Sequence, residues 1–176
     1  MKSANNWPKG TTEELMAFYG PVGKNQTKLR VPYPLTLSWA PHVQVTRITC
    51  HQKVAESMDK VMNIILESYG RDEINRLRLD NWGGCLNVRK KRGGNNYSVH
   101  SWGAANDWYP EANQLWTPWH RASFSQPVYI DFFNAWIGEG WNPLGLSANF
   151  DAMHIEAVDN DVPYIPTHPM LRHIAA

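Results

Sequence analysis

Cysteine is nearly absent from this chain: Cys50 and Cys85 are the only two in 176 residues. They lie in unrelated contexts and form no C-x-x-C, which excludes a disulfide scaffold and a four-cysteine metal site. Both read as small buried thiols. An excess of one charge is missing too. Seventeen Lys and Arg stand against sixteen Asp and Glu, a net charge of +1. That balance lacks the concentrated positive field of a dedicated nucleic-acid binder, so no nucleic-acid partner is expected. No apolar run approaches the ~20 residues needed to cross a bilayer, so no membrane insertion is expected. Met1-Lys2-Ser3-Ala4-Asn5-Asn6 has no apolar stretch of the secretory-signal kind. Internal repeats and low-complexity linkers are absent.

What is present is an apolar fraction of 43%, enough to bury a real core and to exclude wholesale disorder. The length suits one domain over residues 1–176. Nine Trp, seven Tyr and five Phe are the compositional oddity. Aromatic planes suit clefts that hold glycans or peptides, and they equally fill ordinary cores.

Thr11-Thr12-Glu13-Glu14 carries a capping-box pattern and opens a short helix that Gly20-Pro21 closes. Residues 21–43 are Pro-rich with short apolar alternations, and read as extended segments wrapping the domain. Val43 to Ile48 alternates with period two, which predicts a strand. Val54, Met58, Val61, Met62, Ile65 and Tyr69 recur at helical spacing, which predicts a helix from Gln52 to Tyr69 ended by Gly70. A second amphipathic helix is predicted from Pro127 to Ile137, burying Tyr129, Ile130, Phe133, Trp136 and Ile137. The Gly-rich stretch from Trp82 to Asp107 reads as strands and turns, and Phe150 to Val158 as a strand. Helix, strands, helix, strands argue for an α+β domain. Within it, 1–43 is the N-terminal wrapping segment, 44–158 the core and 159–176 a C-terminal tail.

Seven histidines are the raw material for a metal site. His42, His51 and His120 lie in apolar or loop surroundings, and His168 and His173 in the tail; all five read as structural. His100 and His154 keep better company. His100 and Asp107 lie seven residues apart across a Gly-bearing bend, and can converge if the chain folds back. A second imidazole from a distant strand makes three ligands and leaves one tetrahedral position of zinc open, the catalytic arrangement.

Ser98, His100, Gly103, Ala105 and Asp107 fit the pattern S-x-H-x-x-G-x-A-x-D, and Asp151-Ala152-Met153-His154 supplies an acidic residue three before a His. In these two motifs the chain resembles the D-alanyl-D-alanine carboxypeptidase family of zinc peptidases, which includes VanY-like enzymes and phage L-alanyl-D-glutamate endolysins. The Gly- and Arg-bearing run from Trp82 to Gly94 is similar to the segment that precedes the first motif in phage-encoded members. Asn106, where an aliphatic residue is usual, departs from the pattern, and faces away from Asp107 in an extended segment. The resemblance covers roughly residues 50–157.

What the resemblance implies is a small antiparallel sheet flanked by helices, as in hedgehog and D-Ala-D-Ala-peptidase domains. It implies one Zn²⁺ per chain on His100, Asp107 and His154. Asp151 is then the proton shuttle, with Glu156 as rival for that role or as the group orienting a ligand imidazole. Arg89 steadies the developing oxyanion, with Arg92 as its rival and a candidate substrate contact beside Ser98. Tyr97, Trp102 and Trp108 either line a groove or pack the core. Lys90-Lys91-Arg92 otherwise reads as a solvated loop. The expected activity is hydrolysis of bacterial peptidoglycan stems by a monomer made in the cytoplasm and acting on the wall, as a phage endolysin does. The alternatives are D-alanyl-D-alanine carboxypeptidase or dipeptidase activity, or a non-catalytic zinc-bearing wall-binding or virion module.

Overall fold

A computed structural model describes residues 5–166. Helix α1 spans Thr12–Tyr19. The Thr11 hydroxyl accepts from the Glu14 amide at 3.3 Å, satisfying one of the free amides of the first turn. Gly20, at φ 84°, ends the helix.

Residues 21–43 do more than wrap the domain. They supply β1 (Gln26–Leu37) and the start of β2 (Ala40–His51), a long antiparallel hairpin. Val31, Tyr33 and Leu35 point into the core from β1. The intervening Pro32 and Pro34 fall where the register shifts between Arg30 and Leu35, so neither proline withholds a ladder amide. That bulge is why the stretch reads as irregular in the sequence.

Helix α2 follows directly (Gln52–Arg76), and buries Val54, Met58, Val61, Met62 and Ile65 at the expected spacing. Gly70, at φ 70°, breaks it, and a further turn and a half continues to Arg76. Strand β3 (Asn81–Gly84) then joins β1, and β4 (Ala105–Trp108) joins β3. A 3-10 turn at Pro127–Tyr129 leads into α3 (Ile130–Gly138), which buries Phe132, Phe133, Trp136 and Ile137 while Ile130 stays half-exposed. Strand β5 (Asn142–Pro143), helix α4 (Leu144–Ala148) and strand β6 (His154–Glu156) are the last regular elements among the described residues.

The domain is α+β, with, among the described residues, four helices on a six-stranded sheet ordered β2-β1-β3-β4-β6-β5. The sheet is mixed, which corrects the expectation of an antiparallel one. Thr36 and Leu37 of β1 pair in parallel with Asn81 and Trp82 of β3. A helix-length connection through α2 frees β3 from the reversal that a tight turn imposes. The expected strand from Phe150 to Val158 shrinks to β6. Asn149 and Asp151 take left-handed backbone conformations (φ 60° and 53°), and the turn they form is fastened to another loop.

Most of the aromatic surplus is core. Trp102, Trp108, Trp136 and Trp141 are fully buried, with Trp136 and Trp141 packed edge to face at 4.9 Å. Trp102 and Trp108 therefore pack the interior, whereas Tyr97 is exposed with its edge against Trp102. Residues 159–166 run over α3, where the Asn134 amide donates to the Ile165 carbonyl and accepts from its amide. His168 and His173 lie outside the described residues. Among those described, no helix is long and apolar enough to cross a membrane.

Candidate metal centre

The fold-back that joins His100 to Asp107 is built from three local features. Val99–Trp102 forms a 3-10 turn carrying His100. Gly103, at φ 67°, reverses the chain, and a Cβ there would collide with the Gln26 side chain and crowd the His51 amide. β4 then carries Asp107 back alongside His100. Alternation along β4 sends Asn106 the other way, into the core, where it accepts from the Trp82 indole at 3.2 Å. β6 pairs with β4 so that His154 stands directly opposite Asp107. Gly83 on the far side of β4 has no side chain because one would press on the Asp107 Cβ at 2.8 Å.

The three side chains meet closely. His100 Nε2 lies 3.2 Å from Asp107 Oδ1 and 3.1 Å from His154 Nδ1, and His154 Nδ1 lies 3.0 Å from Asp107 Oδ1. Their outer atoms fix what these inner atoms are. His100 Nδ1 lies 2.7 Å from the Cys85 carbonyl oxygen, which can only accept, so this nitrogen carries the proton. His154 Nε2 likewise faces the Glu156 carboxylate at 3.1 Å. With neutral rings, both inner nitrogens present lone pairs to each other and to a carboxylate oxygen. Three acceptors then converge with no proton among them, an arrangement that a metal ion, or a proton shared with Asp107 on the inner nitrogen of His154, resolves. Tetrahedral zinc bonds of ~2.0–2.1 Å place ligand atoms about 3.3 Å apart, close to the spacings here. The buried His100, Asp107 and His154 group can hold a metal ion.

Electrostatics agree. Burial alone would keep the His154 imidazole neutral, but the hydrogen bonds and charges of Asp107 and Glu156 outweigh it and raise its pKa to about 10. Burial opposes ionisation of Asp107 as well, yet His100 and His154 hold that carboxyl far below its usual range. Between them, Asp107 and Glu156 give the cluster a strong demand for positive charge, which a metal ion or a proton can meet. Glu156 also takes a 3.5 Å contact from the Asn142 amide, so its carboxylate is steered from behind.

A cavity of about 420 Å³ opens over the cluster. Asp151 lines it, largely buried, and its Oδ1 has no hydrogen-bond partner among the described residues. Burial lifts the Asp151 carboxyl to about 6; His154, His100 and Arg92 pull it down and Asp107 pushes it up. Its position is set by backbone: its amide donates to the Leu115 carbonyl at 2.9 Å and its carbonyl accepts from the His154 amide at 2.9 Å.

Arg89, Arg92 and Ser98 all line the same cavity. The Gly-rich segment folds as a small hairpin, with Lys90 bridging Tyr97 and the Ser98 amide donating to the Arg89 carbonyl. The Arg89 guanidinium donates to the Lys90 carbonyl at 3.3 Å, while the charge of Arg92 is felt at Asp151. Lys91 reaches the cavity too, so the basic run is more than a solvated loop. Of the other histidines, His42 and His120 are exposed, away from the cluster. His51 is buried, with Nε2 donating to the Tyr19 carbonyl at 2.8 Å and Nδ1 accepting from the Lys53 amide at 3.1 Å.

Sequence reasoning missed the apolar part of the lining: Leu115, Trp116, Leu144, Phe150 and Met153 also line the cavity. Their only signal was the abundance of tryptophan, which does not distinguish Trp116 from the buried ones. No protein-family model, curated protein or solved structure matches the chain.

Proposed function

We propose that the chain is a zinc-dependent peptidase that hydrolyses the peptide stems of bacterial peptidoglycan, as an endopeptidase of the L-alanyl-D-glutamate endolysin type. The observation that carries this reading is an unpartnered, buried Asp151 carboxylate beside three converging metal-ligating atoms on the floor of an open cavity. His100, Asp107 and His154 would hold one zinc ion per chain, in the zinc-peptidase fold that the motifs imply. Zinc bound there supplies Lewis-acid polarisation of the scissile carbonyl.

The chain's own residues do the rest. Asp151, raised towards neutrality by burial, takes a proton from the attacking water and passes it to the leaving amine. Its left-handed backbone and its amide bond to Leu115 fix the point from which the short side chain projects its carboxylate into the cavity. Glu156 fixes the His154 ring and its tautomer. Arg89 meets the negative charge that develops on the carbonyl oxygen, with Arg92 as the alternative. Ser98 and Arg92 contact the substrate.

The basic wall of Arg89, Lys91 and Arg92 also favours a second reading, a D-alanyl-D-alanine carboxypeptidase whose substrate presents a terminal carboxylate. One digest separates the two. Purified peptidoglycan treated with the enzyme is analysed by mass spectrometry for new termini. New L-Ala carboxyl and D-Glu amino ends support the endopeptidase, and released D-Ala supports the carboxypeptidase. An unchanged wall removes both and leaves a zinc-bearing binding module.

A further inference from the structure

We infer that Trp116 is a stacking platform for a sugar ring, so that the cleft reads the glycan to which a stem peptide is attached as well as the peptide itself. The inference rests on the peptidoglycan reading above. Trp116 is the most exposed large hydrophobic residue among those described, at 78%, yet it lines the cavity over the His100, Asp107 and His154 cluster. Its indole makes no ring contact with another aromatic among the described residues, unlike the buried tryptophans of the core.

An exposed indole on a mobile loop would mean little, but this loop is held from several sides. The Asp151 amide donates to the Leu115 carbonyl and the Met153 amide to the Asn113 carbonyl. Asn113 is fully buried, its side chain donating to the Tyr109 carbonyl at 2.9 Å and accepting from the Phe124 amide at 2.9 Å. The Thr117 amide closes the turn onto the Gln114 carbonyl. The platform is thus fastened, by backbone, to the proposed proton shuttle itself and to Met153 two residues on. The loop backbone is ordered before a ligand arrives, and binding has only the indole side chain left to order.

Position and chemistry select the occupant. The buried floor of the cavity takes the peptide around the bond that is cut. What lies at the exposed rim is the part of the substrate that extends beyond that peptide. An indole face offers a flat apolar surface whose surroundings are wet, and it suits a ring with an apolar C–H face and a polar edge, as a pyranose has. Arg89, Lys91 and Arg92, which line the same cavity, complement the carboxylates of a stem peptide, leaving the uncharged partner to Trp116.

The test compares the purified full chain on two substrates: a disaccharide carrying a stem peptide, and the same stem peptide without sugar. Wild type should prefer the sugar-bearing substrate by roughly tenfold in kcat/KM, the scale of one good aromatic contact. In Trp116→Ala that preference should fall to about one, and Trp116→Phe should retain part of it. Trp39→Ala, which removes another exposed indole that does not line the cavity, should keep it. The ratio is internal to each variant, so a general loss of activity leaves it interpretable. An unchanged ratio in Trp116→Ala, or no preference in wild type, overturns the platform. If neither substrate is cut, the peptidase reading fails by itself, and calorimetric titration with the disaccharide-peptide still decides the platform. A Kd raised roughly tenfold in Trp116→Ala supports it, and equal Kd values overturn it.

Discussion

Among the described residues, two places bury imidazole rings, and they use them in opposite ways. At the β2–α2 junction, His51 spends both ring nitrogens on backbone, one on the Tyr19 carbonyl and one on the Lys53 amide. Nothing is left over, and the ring acts as a helix cap and a clasp to α1. Between β4 and β6, His100 and His154 each spend only the outer nitrogen, and turn the inner one towards Asp107. The difference teaches that burial alone does not mark a metal ligand. What sets the second place apart is the convergence of three side chains that could hold a metal ion.

The largest test of that contrast is His154→Ala. Its zinc content should drop from about one per chain to near zero, with activity on peptidoglycan falling by about 10³-fold or more. Metal analysis of the purified variant checks this, and full zinc occupancy would show that the ligand set is wrong. His51→Ala, by contrast, should keep its zinc.

Asp151→Asn comes next. The amide cannot shuttle a proton, so turnover should fall by about 10²–10⁴-fold while zinc and fold are retained. Near-normal turnover in this variant, combined with collapse in Glu156→Gln, would move the shuttle to Glu156. Glu156→Gln is otherwise expected to act through the metal. Losing the carboxylate that orients His154 should weaken zinc affinity by about 10–100-fold, read by competition with a chelator. Unaltered affinity would make Glu156 a bystander to the metal.

The fourth test separates the two arginines. Arg89→Ala should lower kcat and kcat/KM together, with little change in KM, if its guanidinium acts only in the transition state. Arg92→Ala then affects chiefly KM. An unchanged kcat in Arg89→Ala hands the role to Arg92, whose charge already reaches Asp151.

The smallest effect belongs to His51. Burial lowers its pKa, against the pull of its bond to Tyr19. The unfolded chain therefore takes up that proton first as the pH falls. The stability from neutral His51 is present above about 6.5, the ordinary histidine value, and declines as the pH drops through that range. His51→Ala should lower stability by about 1–3 kcal/mol at neutral pH, and should flatten this part of the profile in denaturant titrations. A profile with the same slope in wild type and variant would place the acid sensitivity elsewhere.

How much of this was legible beforehand follows from how local each signal is. The helix from Gln52 to Tyr69 and its break at Gly70 follow from spacing and backbone freedom within one segment. The fold-back between His100 and Asp107 was likewise readable, because seven residues and one glycine suffice to build it. β1 was obscured by its own prolines, whose tolerance depends on a bulge against β2 that the segment does not itself encode. The strand expected from Phe150 was shortened because its first residues are bound to Leu115 and Asn113, more than thirty positions away. Tyr97, Trp102 and Trp108 were equivalent as candidates for a groove, and only burial separated the exposed Tyr97 from the two packed tryptophans.

The sequence by itself determined the α+β character, the main helices and the supply of residue types able to bind a metal. These depend on residue type and short-range periodicity, which a linear chain displays directly. The tertiary structure alone decided the parallel pairing of β1 with β3 and the meeting of His154 with Asp107 across β6 and β4. It alone placed Lys91, Arg92 and Trp116 around one cavity. Those are matters of register and loop placement between distant segments. Each is set by backbone hydrogen bonds and packing that no stretch of sequence contains on its own.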